Sequence, residues 1–162
     1  MNGLELRPVP RDVAIAVVTG TGLDVALAAA GLTRVRDWPH EDTIDALRGL
    51  AEHAELSGKG SFLVVRLDGA VLGDCGWFGP PDEQGLVEIG YGLAASARRQ
   101  GVGTEAVGRL LAWVGQQPAV RTVTAEVLVG NEPSLRLLAR LGFEVTTRDQ
   151  DRLVLAVTAT PR

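Results

Sequence analysis

Arg98 and Arg99 stand three and two residues ahead of Gly101, Gly103 follows, and a helical apolar pattern opens at about Thr104. Cations, then a glycine turn, then a helix make a place for an anion. The free N–H groups and dipole of a helix N-terminus attract phosphate, and guanidinium groups add charge-assisted hydrogen bonds. Three readings of this run stay open. The glycines could serve only a tight turn before the helix. Gly101-Val102-Gly103-Thr104-Glu105-Ala106 also matches G-x-G-x-x-A, with Glu126 about twenty residues on, as in a dinucleotide site. Against that, the preceding strands are joined as hairpins rather than by parallel crossovers, and Glu126 falls inside a strand. The arginines favour the third reading: coenzyme A, which carries a pyrophosphate and a separate 3′-phosphate. Upstream, Glu88 is a carboxylate set among apolar residues. It is either a structural partner for an arginine or a proton acceptor. A primary alkylamine with a pKa near 10 is about one part in a thousand neutral at pH 7, a cost of about 4 kcal/mol that a base offsets. Glu126 is a weaker candidate for the same work.

The elements that must position these groups follow from periodicity. Leu4 to Arg7 reads as a strand, stopped by Pro8 and Pro10. Residues 12 to 32 are partly helical, with Asp24 expected to cap a helix to about Ala30 and Gly31 to end it. Trp38-Pro39-His40 is a non-helical turn, and a helix runs from about Glu41 to Leu56 with Ile44, Leu47, Leu50, Ala51 and Ala54 at helical spacing. Phe62–Leu67 and Ala70–Phe78 are strands across a two-residue Asp68-Gly69 turn. After a Gly/Pro loop, Leu86 to Leu93 is a strand. Its Glu88, Gly90 and Gly92 share one face, and Val87, Ile89, Tyr91 and Leu93 share the other. The helix from about Thr104 stops before Pro118. Arg121–Val129 is a strand, Pro133–Leu141 a helix ended by Gly142, and Phe143–Arg148 and Arg152–Val157 two last strands. The expected class is α/β (α+β): a mixed, mostly antiparallel twisted sheet of about six or seven strands with about four flanking helices.

The 162 residues suit one domain. A net charge of −4 gives no general attraction to nucleic acid or anionic lipid. The single cysteine, Cys75, forms no internal disulfide, and no His/Cys/Asp cluster has metal-ligand spacing. A reducing cytoplasm fits, with no signal pattern or membrane span expected.

Larger patterns carry a resemblance. Arg98-x-x-Gly101-x-Gly103 resembles the Q/R-x-x-G-x-G/A motif of the GNAT acetyltransferase superfamily. "VEIGYGLAASARRQGVGTEAV" and "VLVGNEPSLRLLARLGFE" resemble the two signatures of its ribosomal-protein N-acetyltransferase (RimJ/RimL-type) branch, in the right order and at the right separation. "RDWPHEDTIDAL" is similar to that branch's Trp-Pro segment. The match covers roughly residues 33 to 158; residues 12 to 32 depart from it, being unusually apolar and glycine-broken. The resemblance implies the GNAT fold across one domain, 1–162, with the strands at 86–93 and 121–129 splayed apart to admit the pantetheine arm. It implies acetyl transfer from acetyl-CoA, with no metal, to a primary amine: a protein N-terminus or a small molecule. Attack is direct, within a ternary complex. Backbone N–H groups near Leu93 or Ala94 hold the oxyanion. Arg98, Arg99, Gly101, Val102, Gly103 and Thr104 hold the phosphates, and Asn131 contacts the pantetheine or caps its helix. Glu88 is the candidate base, or a structural carboxylate, and Ser134, at the family's serine position, either assists the departing thiolate or is an ordinary first-turn serine. Trp38, His40, Trp77 and Phe78 line the acceptor pocket, while Tyr91 and Cys75 read as packing residues. The resemblance admits a homodimer, and a non-catalytic acyl-CoA sensor on the same scaffold is the alternative.

Overall fold

The computed structural model describes residues 3–160. These fall into two compact units: residues up to Cys75 with Tyr91–Val102, and Gly76–Gly90 with the chain from Gly103 onward.

In the first unit, Pro8 and Pro10 close strand β1 (Leu4–Pro8) and helix α1 (Arg11–Thr19) starts at once. Val13, Ala14, Ala16 and Val17 form its buried stripe, and Gly20, at φ 73°, ends it. Helix α2 (Leu23–Ala29) follows after the Gly20-Thr21-Gly22 break. Its N-cap is Gly22, not Asp24. Asp24 sits inside the first turn and accepts a hydrogen bond from Arg34 Nε at 2.8 Å. Strand β2 (Thr33–Arg34) pairs in parallel with β4 (Ala70–Trp77). Two residues leave no periodic signal, so the sequence hides this strand. Helix α3 (Glu41–Glu52) packs on α1 and stops at His53, whose extended backbone separates it from a short 3-10 turn, Ala54–Leu56. The helix expected to reach Leu56 is therefore broken. Strand β3 (Ser61–Arg66) pairs antiparallel with β1. Leu63, Val64 and Val65 are all wholly buried, so the strand is covered on both faces. Three residues, Leu67 to Gly69, join β3 to β4 rather than two; Gly69 takes φ 88°, and the Asp68 carboxylate accepts the Ala70 N–H at 3.0 Å.

In the second unit, helix α4 (Val102–Gly115) buries Ala106, Val107, Leu110 and Val114. It is the crossover that a parallel strand pair requires. That pair is β5 (Leu86–Leu93) with β6 (Thr122–Leu128). Helix α5 (Glu132–Arg140) leads to β7 (Glu144–Arg148) and β8 (Arg152–Thr158), and β8 returns between β6 and β7, antiparallel to both.

The strand order is β1-β3-β4-β5-β6-β8-β7 with β2 beside β4. Both β4 and β5 contribute residues to each unit. The described residues thus hold eight strands and five α-helices, one strand and one helix beyond the upper sequence expectation. The extra strand is β2; the extra helix arises because glycines split residues 11–29 in two.

Candidate active site

Two hydrogen bonds set which edge of β5 is occupied. Phe78 N–H donates to Glu88 O at 2.9 Å, and Ala94 N–H donates to Leu72 O at 2.8 Å. Even-numbered residues of β5 therefore bond toward β4, and odd-numbered ones point to the opposite edge. On that edge the β6 ladder runs from Leu86–Thr122 to Ile89–Ala125 and ends, although β5 continues to Leu93. Of the two expected oxyanion donors, Ala94 is excluded, because its N–H is committed to Leu72 O.

After β5 the chain makes a 3-10 turn, Ala95–Ala97. The Asp37 carboxylate pins it, accepting Ser96 N–H at 2.8 Å and Ser96 Oγ–H at 2.7 Å. These bonds hold the Asp37 carboxyl below its ordinary range. Arg99 at φ 65° and Gly101 at φ 77° are both left-handed. A Cβ on Gly101 would touch nothing, so the glycine answers a backbone demand and not a lack of space. The non-glycine Arg99 in this region carries conformational strain of the kind that clusters at ligand sites. Helix α4 begins at Val102, two residues earlier than expected, which puts Gly103 and Thr104 in its first turn. The first N–H groups there have no partner within the helix. Arg98 and Arg99 are exposed; Val102 and Gly103 are buried.

The Trp-Pro-His segment behaves differently from expectation. Trp38 has 0% of its surface exposed, and its indole N–H donates to Asp74 Oδ2 at 2.8 Å. It is a core residue that no acceptor can reach. Thr43 Oγ1 donates to the same Asp74 oxygen at 2.8 Å. Asp74 is buried, and loss of water pushes its carboxyl up against these two bonds. His40, the N-cap of α3, is half-buried, and its ring lies over Gly92. A Cβ on Gly92 would come within 2.5 Å of His40 Cε1 and 2.7 Å of Nε2. The bare strand face at Gly92 therefore houses an imidazole of the protein itself.

In the second unit, Glu88 is half-buried, with Val87 and Ile89 buried on the opposite face. Desolvation first, then the charge of Glu126, push the Glu88 carboxyl above its ordinary range, while Arg152 opposes them. Arg152 also pairs with Glu126 at 3.2 Å. The Phe78 ring is 67% exposed and crosses Gly90, where a Cβ would sit 2.7 Å from Cζ. Trp77 packs edge-on against Trp113, ring centres 4.8 Å apart. Asn131 caps α5, its side chain accepting Ser134 N–H at 3.3 Å. Ser134 is half-buried in the first turn. The sequence reading missed Thr43, Asp74 and Asp37. Each bonds a residue far along the chain or hidden in a turn, and no local spacing announces that.

The chain belongs to the GNAT acetyltransferase family. The family's domain description, "Acetyltransferase (GNAT) domain", matches residues 4–144. The N-acetyltransferase YjdG of Bacillus subtilis (strain 168), itself uncharacterized, is 31% identical over 123 residues, 73% of each chain. Two solved structures share the fold at low identity. One is the ribosomal-protein-S5-alanine acetyltransferase of Vibrio fischeri, 16% identical, with a TM-score of 0.68 over 98% of this chain and 94% of that one. The other is the spermidine N-acetyltransferase of Vibrio cholerae in complex with CoA and spermine, 14% identical, TM-score 0.68, covering 99% and 98%.

Proposed function

We propose that this acetyltransferase moves acetyl from acetyl-CoA to a primary amine by direct attack in a ternary complex, acting as one domain that spans both units. The observation that supports this best is continuous in sequence. Strand β5 continues to Leu93 after its pairing with β6 stops at Ile89, and the chain then enters α4 through left-handed Gly101. In this reading the amides of Val102, Gly103 and Thr104 hold the diphosphate, with Arg98 and Arg99 on the remaining phosphate charge. The Asn131 side-chain amide contacts the pantetheine through the N–H groups that capping leaves free. Glu88 takes a proton from the ammonium. The neutral amine attacks the thioester carbonyl carbon to form a tetrahedral adduct whose oxyanion the Leu93 N–H stabilises, and as the C–S bond breaks the adduct's second N–H proton passes to the departing thiolate. Ser134 Oγ–H donates to the departing thiolate. Trp77, Phe78 and His40 line the acceptor end.

The acceptor class we propose is the α-amino terminus of a protein, on the strength of the Glu-Ile-Gly-Tyr and Asn-x-x-Ser…Leu-Gly-Phe patterns of the ribosomal-protein branch. An α-amine near pKa 8 needs less help from a base than a polyamine does. A lone buried Cys75 fits work in a reducing cytoplasm.

Thermal unfolding with and without acetyl-CoA tests the donor. At a hundredfold its dissociation constant the ligand adds about 2.7 kcal/mol, and no stabilisation would overturn the reading. A thiol-release screen over alanine-terminated peptides, polyamines and aminoglycosides tests the acceptor. Turnover confined to polyamines would replace the protein terminus with a small molecule.

A further inference from the structure

We infer that Arg152 is a specificity-determining residue for the acceptor: it occupies the Glu126 carboxylate and so selects an acceptor whose reacting ammonium is its only nearby positive charge. The inference rests on the acetyl-transfer reading above and narrows its acceptor class. Every residue it uses lies in the second unit.

Strand register brings the charges together. Glu88 pairs with Thr124, Glu126 with Val154, and Leu128 with Arg152. Paired residues share a sheet face, and so do alternate residues of one strand. Glu88, Thr124, Glu126, Val154 and Arg152 therefore stand on one face of β5, β6 and β8. The opposite face is apolar and buried, with Val87, Val123, Val127 and Leu155 on it. The charged face is open: the Arg152 and Glu126 side chains are 54% and 40% exposed, and Glu88 is half-buried. Arg152 Nη1 donates to Glu126 Oε1 at 3.2 Å. Thr124 Oγ1–H donates to Val87 O at 3.3 Å, so its proton is spent on the strand and serves neither carboxylate. Besides desolvation, which acts first, the charges of Glu126 and Arg152 are both felt at Glu88, one raising its pKa and the other lowering it.

Two carboxylates and one guanidinium leave this patch a single negative charge, which one ammonium answers. Glu144 shares the face, opposite Ala156 on β7, but it is exposed and three strands from Glu88, about 14 Å at ordinary strand spacing and beyond the reach of screened charge. In the acetyl-transfer reading the ammonium that yields its proton lies against Glu88. In a polyamine a second ammonium follows behind a short carbon chain. Glu126, one strand across from Glu88 and two residues along, about 8 Å away by strand geometry, is the carboxylate it would reach, and there it meets the Arg152 guanidinium. A counter-charge already taken is an element set against the doubly charged competitor. An α-amino terminus followed by uncharged residues meets no such conflict, whereas a terminus with lysine in second place does.

The test uses the full chain with acetyl-CoA and two pairs of acceptors, each pair differing by one amino group: butylamine and putrescine, and alanine-terminated peptides with norleucine or lysine in second place. The readout is the ratio of kcat/KM within a pair, which cancels any change in Glu88 common to both members, and either pair carries the test. The wild type favours the singly charged member. Arg152→Gln raises the ratio toward the doubly charged member by about fivefold, and Arg152→Lys, which keeps the charge, restores the wild-type preference. In the Glu126→Gln/Arg152→Gln double variant the gain disappears, because the carboxylate that Arg152 vacates is gone. Thermal unfolding verifies that each variant is folded. A wild type that favours the doubly charged member overturns the proposal, as does an unchanged ratio in Arg152→Gln or a gain that survives in the double variant. Should the wild type release no thiol with any amine, the acetyl-transfer reading itself falls, and calorimetric titration with putrescine then decides: tighter binding to Arg152→Gln than to the wild type upholds the role of Arg152, and equal binding overturns it.

Discussion

Glu88 carries a charge that its surroundings disfavour. Half-burial and the nearby Glu126 carboxylate raise its pKa, and Arg152 only partly offsets them. As the proposed base it acts only when deprotonated, so the acid limb of the kcat/KM–pH profile is expected above the ordinary carboxylate range. Glu88→Gln lowers kcat by about a hundredfold and removes that limb. Glu126→Gln takes away a repelling charge and moves the limb to lower pH. A limb that stays in place in Glu126→Gln would show that the profile reports another group. Trp38 shows the reverse case at the same scale. It looked like a pocket residue in sequence, yet its indole is spent on Asp74 inside the core.

Strands β4 and β5 approach each other more closely than side chains allow at one position. A Cβ on Gly73 would overlap the Gly92 carbonyl oxygen and lie within 3.0 Å of the Leu93 Cα, both backbone atoms that cannot swing aside. At Gly90 the obstacle is the outer end of the exposed Phe78 ring, which can rotate into solvent. Gly73→Ala therefore costs about 1–3 kcal/mol, the range of overpacked cores, and Gly90→Ala costs less. Denaturant melts of the two variants measure the gap, and equal losses would contradict the backbone argument. The same packing explains why the sequence fixes β5 to the residue: its apolar alternation and both its ends were legible. Helix α4 was legible in type but not in its start. Glycines at 101 and 103 look alike in sequence, yet only Gly101 is left-handed while Gly103 lies inside the first turn.

At the scale of the whole molecule, stability against pH depends on carboxyls pulled in opposite directions. Asp74 and Glu88 have raised pKa values, so each contributes stability that is fully present below the ordinary carboxylate pKa and lost as pH rises through the folded value. Asp37 and Asp68 have lowered values and act in the opposite sense, but both are exposed, where solvent screens the effect. Buried Asp74 therefore sets the trend. Asn at 74 does not titrate, so the Tm of the wild type falls relative to Asp74→Asn as pH rises from acid to neutral. A constant difference between the two across that range would remove Asp74 from the account. Among the described residues no helix is long and apolar enough to cross a membrane.

Sequence by itself determined the strand and helix types, the glycine turn that opens α4, the family, and Glu88 as a carboxylate on the glycine face of β5. Those are local facts, set by periodicity, turn chemistry and charge within a few residues. Tertiary structure alone decided that Ala94's amide is committed to Leu72, that Trp38 is core, that the β6 ladder stops at Ile89, and that His40 fills the space left by Gly92. Each of these depends on a partner from another strand or helix, and which partner arrives is fixed by packing and hydrogen-bond pairing across the sheet, which spacing along the chain does not encode.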